Sequence, residues 1–226
     1  VHSRYLHGGI LDFAERLLSY HHAGLEQVVF ACSGTEASEI ALLMARHGTG
    51  GQGIVCSDAT YHGNSTEVDK MSSQPVTDPN FRSIPFPQTY RPLAEGLDST
   101  DLARLYLGKL QEAIDDFAEN NIPFAGLFFC SIFANEGLPD IPQGFMAQAV
   151  ELVHKAGGVV IADEVQAGYC RSGNWWGYET SQFTPDIVTM GKPMGNGLPV
   201  SAVAACTDLV SAFREHTHYF NTFASS

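Results

Sequence analysis

The sequence predicts an α/β fold with a mostly parallel sheet flanked by helices. Short, nearly continuous apolar runs recur along the chain, as in strands buried on both faces. Segments with apolar residues at helical spacing lie between them, and such alternation means a parallel sheet covered by helices. With 226 residues, 44 % hydrophobic and 16 % charged, the chain has the size of one globular domain with a sizeable core.

The first run is QVVFACS (27–33). It leads into 36–47, where Ala37, Ile40, Ala41, Met44 and Ala45 fall on one helical stripe. GIVCS (53–57) is the next strand. A proline-rich excursion over 74–98 surrounds one short strand, FRSIPF (81–86). Residues 100–119 place Leu102, Leu105, Leu110, Ala113, Ile114 and Phe117 on a second stripe. AGLFFCSIF (125–133) is followed by a third stripe over 144–155, through Phe145, Met146, Ala149, Val150 and Val153. GVVIADEV (158–165), DIVTMG (186–191) and VSAVAAC (200–206) complete the sheet. The stretch GTGGQG (48–53) has the spacing of a dinucleotide loop but follows a helix and precedes a strand. It reads as a helix-ending turn.

Net charge is −13, from 25 acidic against 12 basic residues, which argues against nucleic acid and anionic membranes as partners. No apolar run approaches the roughly 18 residues of a membrane span. The five cysteines form no CxxC pair, so the reading is a reducing, cytoplasmic setting without a disulfide framework or zinc site. The opening VHSRYLHGG has neither a starting methionine nor an apolar signal core, and reads as the middle of a longer chain.

Ligands of open α/β sheets bind beyond the carboxyl ends of the strands, so the residues after each apolar run carry the functional expectation. Ser33-Gly34-Thr35-Glu36 opens a helix. Its types suit a capping box, and equally an anion held by unpaired amides at the helix N-terminus, with Gly34 allowing close approach. Tyr61 comes after GIVCSDAT, either as a core aromatic or as a platform for a planar ligand. Asp163 and Glu164 end an apolar strand, where a carboxylate is costly unless it caps, pairs or meets a cationic ring nitrogen. Lys192 stands between an apolar run and a glycine-rich turn. Burial in an apolar pocket would lower its proton affinity and free it to form an imine with an aldehyde. Phosphate cradle, flat-ring platform, acid and imine lysine together describe pyridoxal phosphate (PLP).

With these residues in place, the chain resembles the class III aminotransferases, PLP-dependent enzymes of fold type I. The stretches RYLHGGILDFAERL, CSGTEASEIALLMAR, YHG, IADEVQAGYCRSGNWWGYE, PDIVTMGKPMGNGLP and YFNTF are similar to family elements in order and spacing. The resemblance implies the large domain of an aspartate aminotransferase-like fold over residues 1–226, without the N-terminal segment and the C-terminal small domain. It implies a transaminase acting on small-molecule amines and keto acids, with a PLP lyase acting on a phosphorylated amine or an aminomutase as alternatives of the same family; an inactive fragment or paralogue is a third reading, of a different class. Lys192 would form the Schiff base and carry protons; Asp163 would bind the pyridine nitrogen. Val165 and Tyr61 would cover the two ring faces, Gln166 would contact the ring hydroxyl, and Gly34 and Thr35 would hold the phosphate. Thr222 would reach the partner subunit's cofactor in a homodimer. Where the family usually shows a glutamate-proline pair, this chain has Cys130-Ser131, which predicts an acceptor other than 2-oxoglutarate.

Overall fold

Because the apolar runs carry side chains that must be covered on both faces, they pair into one sheet with helices on either side. The computed structural model describes residues 7–72 and 74–224. In chain order the elements are α1 (Gly8–Leu18), β1 (Gln27–Ala31), α2 (Gly34–Thr49), β2 (Gly53–Ser57), α3 (Asp69–Ser72), β3 (Phe81–Ile84), α4 (Ser99–Glu119), β4 (Phe124–Cys130), α5 (Phe145–Lys155), β5 (Val159–Asp163), α6 (Gly177–Thr180), β6 (Ile187–Met190), β7 (Ser201–Ala205) and α7 (Thr207–His216).

The strands form one sheet in the order β1-β7-β6-β5-β4-β2-β3. The pairs β2–β3, β2–β4, β4–β5 and β5–β6 are parallel. The exception is β7, antiparallel to both β1 and β6. It turns back directly after the 191–200 turn, with no crossover helix to reverse the chain. Successive residues go to opposite faces. Val29, Cys56, Phe128, Ile161 and Val203 join the core under α2 and α7. Val55, Leu127, Phe129, Val160, Ala162 and Val188 join the core under α4 and α5. Both faces are dry, which is why the strands read as unbroken apolar runs rather than as alternation.

Several strands stop earlier than their apolar runs. β4 ends at Cys130, and Phe133 turns away with φ 50°. β5 ends at Asp163, leaving Glu164 and Val165 in the turn beyond. The GTGGQG stretch behaves as expected: α2 ends at Thr49, Gly50 caps it at φ 72° and Gly53 begins β2. Helices α1 and α7 were not anticipated from periodicity. Among the described residues no helix is long and apolar enough to cross a membrane. β1, β2, β4, β5 and β6 all point their carboxyl ends to one edge, and the candidate site lies there.

Candidate active site

Residues from five strand ends meet in one cavity of about 330 Å³. Ser33, Gly34 and Thr35 arrive after β1, Tyr61 and His62 after β2, Cys130 at the end of β4, Asp163, Val165 and Gln166 from β5, and Gly191 and Lys192 after β6. Every residue expected from sequence lines this cavity except Thr222. That residue is exposed and sits in a separate hollow with Cys32, Glu36, Pro199 and Phe223.

The start of α2 satisfies both readings of its sequence. Ser33 Oγ accepts from the Glu36 amide at 3.2 Å, and Glu36 reaches back to accept from the Cys32 amide at 2.7 Å. This cap uses the third amide of the helix and leaves those of Gly34 and Thr35 at the cavity. Gly34 has a second reason to be glycine. A Cβ there would lie 2.8 Å from Val165 Cγ1, so the valine already occupies the side-chain space. The Thr35 hydroxyl donates to Asn64 Oδ1 (3.2 Å) and accepts from the Asn64 amide (3.3 Å). It therefore ties the helix N-terminus to the loop carrying Tyr61. Gly63, at φ 142°, lets that loop come close, since a Cβ would stand 2.7 Å from Thr35 Oγ1. Tyr61 is half-exposed, and its carbonyl accepts from Asn135 Nδ2 at 3.0 Å.

Asp163 is 5 % exposed and accepts three hydrogen bonds. Its Oδ1 accepts from the Val165 amide (2.9 Å) and the Thr189 hydroxyl (3.3 Å). Its Oδ2 accepts from His62 Nδ1 at 2.6 Å. His62 is a cavity residue that sequence reasoning passed over; the only signal was its place beside Tyr61 in YHG. Glu164, next along, belongs to a different environment. Its two oxygens accept from the amides of Gly177 and Tyr178, each at 2.8 Å, and it is fully buried. Burial pushes its carboxyl up to about 7. It pins the loop that returns to Trp176 and does not face the cavity.

Lys192 departs from expectation. Its side chain is exposed rather than enclosed by apolar residues, and its Nζ donates to Gln166 Oε1 at 3.0 Å. Cys130 lines the floor, with its thiol pushed up to about 12 by burial and by Asp163, so it stays neutral. Glu136 comes closer than its turn suggested: its carboxylate accepts from Ser57 Oγ at the end of β2, and burial raises its proton affinity.

Residues 3–225 match the family described as aminotransferase class-III. The chain is 37 % identical over 227 residues to alanine–glyoxylate aminotransferase 2 homolog 2, mitochondrial, of Arabidopsis thaliana, covering 98 % of this chain and 46 % of that protein. It is 32 % identical over 241 residues to ethanolamine-phosphate phospho-lyase homolog 1 of Caenorhabditis elegans, covering 99 % and 51 %. A phospholyase from Arthrobacter, solved in complex with phosphoethanolamine, superposes with a TM-score of 0.91 at 36 % identity, covering 99 % of this chain and 54 % of that one. The chain thus spans about half the length of the curated relatives it matches. The Arabidopsis relative is named mitochondrial, which overturns the cytoplasmic reading; unpaired cysteines do not separate the two compartments. Together with the order of the strand-end motifs, these matches decide the ancestry: the chain belongs to the class-III aminotransferase family.

Proposed function

We propose that this chain is the cofactor-binding large domain of a PLP-dependent transaminase, which passes an amino group from an amine or amino acid to a keto acid. One observation carries the reading: Lys192, Asp163 and the amides of Gly34 and Thr35, unpaired among the described residues, open on the same cavity. The donor set fits the cofactor. Two amides at a helix N-terminus suit a phosphate, a buried carboxylate suits a ring nitrogen, and the cavity has the size of a cofactor site. The Thr35 hydroxyl gives its proton to Asn64, so the backbone carries the anion. When bound, PLP supplies an aldehyde that condenses with amines and a ring that accepts the electrons released beside the nitrogen.

The chain's own residues would do the rest. Lys192 would hold the cofactor through Nζ and move protons, having let go of Gln166. Gln166, once released, would turn its amide to the ring hydroxyl. Val165, wedged between Gly34 and Gly191, would support one ring face and Tyr61 the other. Exposed Leu198, Phe220 and Phe223 leave apolar surface near the cavity rim and the Thr222 hollow, which supports a homodimer with Thr222 crossing to the partner's cofactor. The relative's name makes the mitochondrion the proposed compartment.

Similarity to the C. elegans and Arthrobacter proteins favours a second reading, elimination of phosphate from a phosphorylated amine by the same residues. In either case the neutral Cys130 thiol cannot act as an anion, so an acceptor that depends on a carboxylate at this place is disfavoured. The test is a protein of the relatives' full length. Borohydride reduction with PLP should label Lys192; a label on Lys70, Lys109 or Lys155 overturns the assignment. Amines offered with pyruvate, glyoxylate or 2-oxoglutarate should yield new amino acids with the first two acceptors. Phosphate release from phosphoethanolamine without any acceptor selects the lyase instead.

A further inference from the structure

Glu136 is drawn inward from a turn that lies at the surface. Its neighbours Asn135, Gly137 and Leu138 are exposed, so a carboxyl here would ordinarily stand in water. Instead Oε1 accepts from the Ser57 hydroxyl at the end of β2, and Oε2 is shut off from solvent without a partner among the described residues. A carboxyl with one oxygen buried and unpaired is costly. The turn around it is costly too. Phe133 and Leu138 stand at φ 50° and 55°, a left-handed backbone that non-glycine residues keep only when their surroundings impose it. Phe133 is fully buried and anchors one side, whereas Leu138 is 62 % exposed and anchors nothing. The bond to Ser57 is the anchor on that side.

One residue back, Asn135 lines the cavity, and its Nδ2 donates to the Tyr61 carbonyl at 3.0 Å. Two adjacent residues thus hold the two ends of one segment. Glu136 grips Ser57, where β2 ends, and Asn135 grips Tyr61, four residues on. On either side the chain has its own ties: the Asp58 amide donates to the Ile84 carbonyl at 2.9 Å, and the His62 carbonyl accepts from Ser38 Oγ in α2 at 2.7 Å. Tyr61 lies between them and is half-exposed, so packing alone does not fix its ring.

We propose that Glu136 is a positioning residue for the aromatic platform: by gripping Ser57 it fixes the turn from which Asn135 sets the height of Tyr61 over the cavity. The inference rests on the PLP reading, in which Tyr61 covers one ring face. It gives a role to an acid that the cavity does not expose.

The experiment measures PLP affinity by visible absorbance and tryptophan fluorescence, in a protein of the relatives' full length. Tyr61→Leu removes the platform and should weaken binding roughly three- to tenfold, the range of an aromatic stacking contact. Ser57→Ala and Glu136→Leu each break the grip and should lose a similar factor. Burial raises the proton affinity of Glu136, which makes glutamine a close stand-in. Glu136→Gln keeps an acceptor oxygen for Ser57 and should stay within about twofold of the wild type. In a Tyr61→Leu background Ser57→Ala should cost nothing further, because the ring it acts through is gone. Equal losses from Ser57→Ala in both backgrounds would mark a general loosening and overturn the positioning role. So would full affinity in both Ser57→Ala and Glu136→Leu, a loss in Glu136→Gln equal to that in Glu136→Leu, or failure of Ser57→Ala to fold. Unchanged affinity in Tyr61→Leu would overturn the platform and this inference while the cofactor reading stands. No PLP binding by the wild type would overturn the cofactor reading itself.

Discussion

Glu164 makes stability depend on pH, and its surroundings set the size of the effect. Its carboxyl is raised from an ordinary 4.5 to about 7, first by burial and then by the neighbouring Asp163 charge, against the opposing pull of the Gly177 and Tyr178 amides. The folded state therefore holds the proton more tightly than the unfolded chain. It binds more protons between about pH 4.5 and 7, so stability falls as pH rises through that window and levels off above it. Integrating between pH 5 and pH 7.5 gives a loss of about 2 kcal/mol from this one group. For a chain of this size that is a fall of roughly 4–8 °C in Tm. Glu164→Gln removes the titration. The variant keeps one amide bond and turns an NH₂ toward the other amide, at a cost that does not depend on pH. Urea unfolding of both proteins at the two pH values gives the difference directly, because titrating groups that do not interact with Glu164 cancel in it. The gap between wild type and variant should widen by about 2 kcal/mol in favour of the wild type at the lower pH. Parallel curves, within about 0.5 kcal/mol, would show that Glu164 is not desolvated as its contacts require.

Two glycines inside helices should respond oppositely to alanine. Gly34→Ala drives a Cβ into Val165 and should cost about 1–3 kcal/mol, largely recovered in the Gly34→Ala, Val165→Ala pair. Gly108→Ala, in α4 with open space at its Cβ, should stabilise by roughly 0.5–1 kcal/mol in the same denaturation assay. Among the thiols, exposed Cys170 should react with an alkylating reagent at neutral pH while Cys130 and Cys56 stay unmodified until unfolding, since burial holds both thiols neutral. Mass spectrometry of the labelled peptides reads the order, and early label on Cys130 would contradict its place in the floor.

The sheet was legible because each strand is buried on both faces, so its apolar run stands out without alternation. GIVCS marked β2 end to end. The site was legible for a related reason. Parallel strands deliver their carboxyl ends to one edge, so Gly34, Tyr61, Asp163 and Lys192 could be found at the ends of the apolar runs. Contacts that depend on how loops fold back were not legible. His62 and Asp163 stand 101 positions apart and meet only because β2 and β5 both flank β4. Glu136 reaches Ser57 across 79 positions because β4, which it follows, pairs directly with β2. Lys192 was expected in apolar surroundings because the residues before it are apolar, yet those belong to β6 and the lysine to the turn beyond. Helix α7 escaped notice because Leu209, Val210 and Phe213 make too short a stripe to separate from a loop.

The division of labour between Asp163 and Glu164 comes down to parity. Along β5, Ile161 faces α2, whereas Val160 and Ala162 face α4 and α5. Side chains alternate along a strand, so Asp163 continues the face of Ile161. That face also carries Phe128 with His62 stacked on it, and the N-terminus of α2 lies over its end. Glu164 continues the other face and finds Gly177 and Tyr178. In register, Asp163 stands between Cys130 and Thr189, which fixes its distance from the neighbouring strand ends. A slip of one residue in β5 would exchange the two acids. It would bring to the cavity a carboxylate longer by one methylene and leave the loop amides with the shorter one. Two adjacent acids of the same charge are thus not interchangeable, and the pairing of β5 with β4 and β6 decides which of them lines the cavity.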